Sequence, residues 1–349
     1  MLIVLPSWVG DVVMATPFIR AVRRRFSSAR LAGLVRPNLR ALIDDAEWLD
    51  DLLVWETVER GGRHRRSLRR TAARLRKERF DAAVLLPNSF SAALATVMAR
   101  IPRRIGYQRD GRGWLLTDRV RVPRVGGKIV PSPLVEYYGR LAEAIGCDAP
   151  GDQLELFTDP AAEQAIDERL AAMGVAGTRP LVLISPGASF GSSKLWLPDR
   201  FAALGDRLAD EFGAAILITC APGEESMAQQ VAAAMQRPVH VLADPVGTLA
   251  EFKALVRRAD LLVNNDTGPR HIAKAFGVPV VTIFGSTFPE WTDTSYQLER
   301  KVRIDVDCGP CQQKVCPFGH HKCITGVTVD MVLAACRALL ESRLAAPLI

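Results

Sequence analysis

Asp260-Leu261-Leu262-Val263-Asn264-Asn265-Asp266-Thr267-Gly268-Pro269-Arg270-His271 passes from an apolar run into a polar corner. Asp260 to Val263 reads as a buried strand, and Ile272-Ala273-Lys274-Ala275-Phe276-Gly277, directly after the corner, reads as a short helix. Strand, turn and helix in this order make up a doubly wound α/β sheet, whose ligands sit past the carboxyl ends of the strands. The turn holds a carboxylate, a hydroxyl, a flexible glycine and an imidazole. N–H groups at a helix start are unpaired and lie at the positive end of the dipole, so such a turn receives anions. Pro269 at the first helical position needs no N–H there. Capping by Asp266 or Thr267 would explain the carboxylate and the hydroxyl. It does not call for the histidine, whereas a phosphate-bearing ligand accounts for all of them.

The same rhythm runs outward from this corner. Leu2–Leu5, Leu31–Val35, Ala82–Leu86 and Arg104–Tyr107 read as strands of a first parallel sheet. Helical patterns at Met14–Phe26, Ser67–Arg79, Ala92–Arg100 and Leu134–Ile145 separate or follow them. Leu181–Ser185, Ala215–Thr219, Val239–Leu242, Leu261–Val263 and Val280–Phe284 read as a second sheet, with helices near Arg200–Phe212, Glu224–Met235 and Leu249–Arg258. Cys147 to Asp152 reads as a polar linker. The expected domains are 1–150 and 155–328, with a last helix within 329–349 as a candidate to pack back on the first.

The chain of 349 residues suffices for two cores. No stretch approaches the uncharged span of about 20 residues that a transmembrane helix needs, and Met1-Leu2-Ile3-Val4-Leu5 lacks the basic leader of a signal peptide. A cytoplasmic protein with reduced thiols is expected. Charge is uneven: residues 1–150 hold 27 Lys/Arg against 15 Asp/Glu, and the remainder 18 against 23. A basic half attracts nucleic acid, anionic lipid or a phosphorylated substrate, or is simply a solvated, arginine-rich face around Arg60 to Arg79. No zinc finger, helix-turn-helix or RNA-binding signature accompanies it, so no nucleic-acid partner is expected.

Four turns hold the chemistry. Pro6-Ser7-Trp8-Val9-Gly10-Asp11 has one glycine where a dinucleotide fingerprint has three. Asp11 serves either as a helix cap or as a general base taking a proton from an attacking hydroxyl. Pro186-Gly187-Ala188-Ser189-Phe190-Gly191-Ser192-Ser193-Lys194 is a donor-rich loop without the P-loop pattern. Its Lys194 could neutralise charge growing on a departing diphosphate. Glu224 and Glu225 are either ribose acceptors or ordinary first-turn acids. Finally, Cys308, Cys311, Cys316 and Cys323, with His320 and His321, crowd 16 residues. This spacing suits a structural tetrahedral thiolate site for zinc or iron; reduced, unliganded thiols are the alternative.

Leu5-Pro6-Ser7-Trp8-Val9-Gly10-Asp11, Leu86-Pro87-Asn88-Ser89-Phe90, Arg104-Ile105-Gly106-Tyr107, Pro186 to Lys194, Asn265-Asp266-Thr267-Gly268 with His271 and the cysteine cluster, in this order, resemble the lipopolysaccharide heptosyltransferase family. The first two segments are similar, more narrowly, to members that add the second heptose. The resemblance implies a GT-B fold, α/β with two Rossmann-like doubly wound domains facing across a cleft. It implies an inverting glycosyltransferase that takes heptose from ADP-L-glycero-β-D-manno-heptose, and a heptosyl-Kdo-lipid A acceptor. No cofactor is required for catalysis in that scheme, and contact with the inner membrane is transient and peripheral. Asp11 matches the proposed base and Lys194 the diphosphate lysine. Gly187, Ser189, Glu224, Glu225, Asp266, Thr267, Gly268 and His271 fall on the donor side. Ser7, Trp8, Gly10, Asn88 and Ser89 fall on the acceptor side. A sibling that heptosylates the bare acceptor or a protein, and a UDP-sugar epimerase of GT-B shape, are the alternatives.

Overall fold

The computed structural model describes residues 1–60, 63–126 and 128–345. They fall into two compact units, one of Met1–Leu154 with Glu290–Thr294 and one of Glu155–Pro289 with the residues from Ser295 on. The expected linker stays inside the first unit, because Cys147 is buried and Pro150 packs 3.5 Å from where a Cβ on Gly139 would stand.

The first unit holds a six-stranded sheet ordered Asp51–Val54, Ala32–Val35, Leu2–Val4, Ala82–Leu85, Arg103–Tyr107, Asp118–Val120, parallel throughout. Leu2 and Val4 enter a core with Leu34, Leu75, Phe80, Leu85 and the alanines of helix Phe90–Met98. Ile3 between them is equally buried. Strands covered on both faces have no polar side to show, which is why these segments read as continuous apolar runs. The helix expected over Met14–Phe26 is Thr16–Arg25, and a separate short helix, Val9–Met14, precedes it. Pro17 has no N–H to continue the first helix, and the Thr16 hydroxyl donates to the Val13 carbonyl at 2.8 Å.

The second unit repeats the plan. Its parallel strands are ordered Val239–Leu242, Ala215–Thr219, Leu181–Ser185, Leu261–Asn265, Val280–Ile283, Glu299–Val302. Val182 and Ile184 face helix Pro198–Phe212 through Trp196, Phe201, Leu204 and Leu208. The last helix, Val329–Ala345, belongs to this unit. Val332, Leu333, Cys336, Leu339 and Leu340 recur one to four apart and are buried in its core. Residues 346–349 of the expected last helix lie outside the described residues.

Three strands of the two six-stranded sheets escaped the sequence reading: Asp51–Val54, Asp118–Val120 and Glu299–Val302. All three are sheet edges, which pair on one side only and tolerate charge. The hairpin Thr57–Arg60 with Arg63–Arg66 and the Asp159-capped helix Pro160–Ala172 also went unread; residues 61 and 62 of the Arg60 to Arg79 run lie outside the described residues. In each sheet the strand order reverses between the first strand and the fourth. The turns that follow those two strands are the ones the sequence singles out.

Candidate active site

In the second unit the reversal lies between Leu181–Ser185 and Leu261–Asn265, and Asn265 ties their two turns together. Its side-chain NH2 donates to the Pro186 carbonyl at 2.7 Å, and its Oδ1 accepts from the Trp196 N–H at 3.2 Å. Trp196 is fully enclosed and its ring N–H donates to the Val327 carbonyl at 2.9 Å, which anchors the far end of the donor-rich loop.

Lys194 ends the short turn Ser192–Lys194 and is buried. Its Nζ donates to Asp266 Oδ2 at 2.5 Å and to the Asp266 carbonyl at 2.8 Å, and lies 4.9 Å from the centre of the Phe190 ring. Asp266 is saturated. Oδ1 accepts from Arg270 at 2.7 Å, and Oδ2 accepts from Thr287 Oγ1 at 2.7 Å as well as from Lys194. Burial by itself would raise the Asp266 pKa, but Arg270 and then Lys194 outweigh it and hold it at about 2. Arg270, wholly buried, continues to Glu299 at 2.9 Å, and Lys274 meets the other Glu299 oxygen at 2.6 Å. Charges of alternating sign thus run inward from Lys194 to the edge strand.

Helix Gly268–Ala275 begins at this corner with Thr267 as N-cap residue and no side-chain cap bond. Neither Asp266 nor Thr267 caps it through a side chain. Thr267 Oγ1 donates instead to the Asn265 carbonyl at 3.2 Å. His271 is buried, and burial first, then Arg270, Lys274 and Lys194, pushes its pKa far below the ordinary imidazole value. It is neutral at pH 7. Its Nδ1 and the Asn264 Oδ1 are buried without a hydrogen-bond partner among the described residues. Buried polar atoms are nearly always satisfied, so these two orphans, one at the strand end and one in the helix, stand out at this corner.

Of the two glutamates, Glu224 turns inward. It accepts from the Ala221 N–H at 3.3 Å and from Ser189, and burial raises its pKa. A Cβ on Gly187 would stand 1.9 Å from its Oε2, so the glycine is what admits the carboxylate. Glu225 is drawn back to the Gly223 N–H at 3.0 Å.

In the first unit the turns after Leu2–Val4 and Ala82–Leu85 hold the residues expected on the acceptor side. Trp8, half-exposed, is the N-cap residue of Val9–Met14, and Asp11 sits in the first turn rather than at the cap. Gly10 is buried and Ser7 part-buried. Asp11 lies close enough to Tyr138 to raise that phenol's pKa, after burial as the larger cause. Asn88 Oδ1 accepts from Arg112 at 3.2 Å and from the Tyr137 hydroxyl at 3.2 Å. Ser89 caps helix Phe90–Met98, its Oγ accepting from the Ala92 N–H at 3.3 Å. Arg112, Tyr137, Tyr138, Thr287, Arg270 and Glu299 were missed from the sequence. Only Arg270 had a signal there, its place four residues after Asp266.

Cys308, Cys311, Cys316 and Cys323 line one small cavity with His320, Ser193 and Ser286. Among the described residues, however, no three His, Cys, Asp or Glu stand so as to hold a metal ion. The Cys316 sulfur is turned into its own loop, where the N–H groups of His321, Phe318, Gly319 and His320 lower its pKa. The Cys308 sulfur lies 3.9 Å from His320 Nε2. The zinc or iron site expected from the spacing therefore has no support. The segment braces the donor loop instead: the Ser193 hydroxyl donates to the Gln313 carbonyl at 2.5 Å, and the Ser193 N–H to the Lys314 carbonyl at 3.1 Å.

Residues 68–322 match the family described as glycosyltransferase family 9 (heptosyltransferase). The chain is 28% identical to lipopolysaccharide heptosyltransferase 2 of Salmonella typhimurium, over 98% of this chain and 99% of that protein. Its fold is similar to that of the E. coli ADP-heptose lps heptosyltransferase II, with TM-score 0.79, 24% identity and 99% of each chain covered. It is likewise similar to a family 9 glycosyl transferase from Veillonella parvula, with TM-score 0.81, 20% identity and coverage of 98% of this chain and 97% of that one.

Proposed function

The chain belongs to glycosyltransferase family 9 (heptosyltransferase), and on that premise we propose that it moves L-glycero-D-manno-heptose from ADP-heptose to the first heptose of a Kdo-lipid A inner core, with inversion. The similarity along nearly the whole chain to heptosyltransferase 2 of Salmonella typhimurium supports this choice of acceptor. One observation carries the donor half. The buried Lys194 sits at the switch point beside a helix N-terminus and two unpartnered polar atoms, an arrangement that suits a diphosphate.

In this reading the ADP-sugar diphosphate takes Lys194 Nζ and the N–H groups at the start of helix Gly268–Ala275. Neutral His271 presents its Nδ1 to the donor. Glu224, held by Gly187 and Ser189, is assigned to the nucleotide in preference to Glu225. Asp266 keeps Lys194 in place, and Thr267 and Gly268 shape the turn. Asp11 takes the proton from the attacking hydroxyl of the acceptor heptose, with Ser7, Trp8, Gly10, Asn88 and Ser89 around it. A single displacement at the anomeric carbon then releases ADP. Because the acceptor is lipid-anchored, the enzyme meets it at the cytoplasmic face of the inner membrane; among the described residues no helix is long and apolar enough to cross one.

The test is mass spectrometry of the product formed from ADP-heptose and mono-heptosylated Kdo-lipid A. Addition of one heptose is expected. Transfer only to the unheptosylated acceptor would assign the chain to a sibling activity, and transfer to neither would overturn the reading.

A further inference from the structure

Helix Phe90–Met98 reads Phe-Ser-Ala-Ala-Leu-Ala-Thr-Val-Met and holds no charge. Ala92, Ala93, Ala95 and Thr96 turn inward and are buried. Phe90, Leu94, Val97 and Met98, spaced i, i+4, i+7 and i+8, share the opposite stripe. Phe90 is 43% and Met98 38% exposed, whereas Leu94 and Val97 pack against the core of the unit. A helix apolar all round is normally enclosed; along this stripe Phe90 and Met98, at its two ends, stay open. Trp114, 68% exposed, extends it, its ring tilted against Phe90 with centroids 6.0 Å apart.

The flank of the stripe is basic. Helix Leu68–Lys77 packs alongside, and Arg69, Arg76, Lys77 and Arg79 line an open groove of about 670 Å³ that ends at Met98. No acidic residue is among the described residues that line it. Exposed aromatic and aliphatic groups beside cations of one sign match the boundary of an anionic bilayer, where rings enter the headgroup layer and arginines meet phosphates. A nucleic acid would use the cations and leave the stripe unused.

We propose that this face of the first unit docks on an anionic lipid bilayer, with Trp114, Phe90 and Met98 at the acyl boundary and Arg69, Arg76, Lys77 and Arg79 on lipid phosphates. The proposal rests on the lipid-anchored acceptor read above and deepens it. The Asn88–Ser89 turn caps the same helix, so docking brings the acceptor-side loop to headgroup level.

The full chain is sedimented with vesicles of phosphatidylcholine alone and of phosphatidylcholine mixed with phosphatidylglycerol. Binding is expected only to the mixture and is expected to weaken with salt. Arg76→Glu with Lys77→Glu lowers the partition coefficient about thirty-fold or more, since each basic residue near such a surface contributes about five-fold. Trp114→Ser with Met98→Ser lowers it about ten-fold. Both double variants are expected to keep the wild-type circular dichroism spectrum and wild-type transfer to a deacylated, water-soluble acceptor. Transfer to acceptor embedded in mixed vesicles falls with the partition. Equal binding to both vesicles, binding to neither, or folded variants that partition like wild type would overturn the docking face. Vesicle binding that follows the expected pattern without any transfer would instead overturn the catalytic reading and leave the face standing.

Discussion

Replacing Asp266 by Asn should cost stability as well as activity, and the size of the loss can be worked from its partners. The carboxylate is buried and receives Lys194 at 2.5 Å, Arg270 at 2.7 Å and Thr287 at 2.7 Å. Without the negative charge, Arg270 still has Glu299 at 2.9 Å. Lys194 keeps only the Asp266 carbonyl and the Phe190 ring. Breaking a buried pair on one side costs roughly 3–5 kcal/mol, because the remaining cation is left uncompensated. The depressed pKa gives a separate figure: a carboxyl moved from 3.8 to about 2 corresponds to about 2 kcal/mol of stabilisation. The folded pKa is the depressed one, so this contribution is complete above pH 4 and disappears as pH falls towards 2. Urea denaturation followed by circular dichroism, on wild type and Asp266→Asn from pH 7 downward, should show a gap of at least about 2 kcal/mol at neutral pH. The gap should close on acidification. Adding Lys194→Met to the variant should recover at least about 1 kcal/mol relative to the sum of the single losses. A gap under about 1 kcal/mol at pH 7, or one that does not change with pH, would refute the ion-pair account.

Asp11→Asn should lower turnover by a factor of about 10² to 10⁴ with ADP affinity nearly intact; a variant with wild-type turnover removes Asp11 from the role of base. Gly187→Ala places a Cβ 1.9 Å from Glu224 Oε2, and the displaced carboxylate should weaken ADP binding by about ten-fold, or 1.4 kcal/mol. Unchanged affinity by calorimetry would separate Glu224 from the nucleotide. Lys194→Ala should weaken ADP binding and slow transfer together, and an unaltered ADP isotherm counts against the diphosphate assignment. Because Lys194 and the helix N–H groups supply the positive charge in this scheme, transfer is expected to survive EDTA; loss restored by magnesium would contradict it.

The interior of both sheets was legible because strands enclosed on two faces must be apolar throughout, as Leu181 to Ile184 and Leu2 to Val4 are. Of the four edges only Val239–Leu242 was legible. Glu299-Arg300-Lys301-Val302 has the composition of a solvated loop, and Glu299 is nevertheless buried because Arg270 and Lys274 neutralise it from a helix that precedes it in the chain. The switch-point turns stood out through their glycines and polar clusters, so Lys194, Asp266, His271 and Glu224 were named from sequence. Their division of labour was not. That Asp266 serves Lys194 instead of a helix end follows from distances between segments about seventy residues apart, which no local pattern encodes. The cysteine spacing was legible as a cluster, since Cys308, Cys311, Cys316 and Cys323 line one cavity, but spacing along the chain does not fix the direction of each sulfur, and among the described residues no three ligands stand so as to hold a metal ion.

Asn265 couples two loops that are remote in sequence, holding the Pro186 carbonyl and the Trp196 N–H with one amide. Neither loop can then be exchanged alone with a relative's. A chimera built to accept a different nucleotide sugar must transplant 186–196 together with 264–271, and an asparagine with them, or the grafted half will lack its fastening.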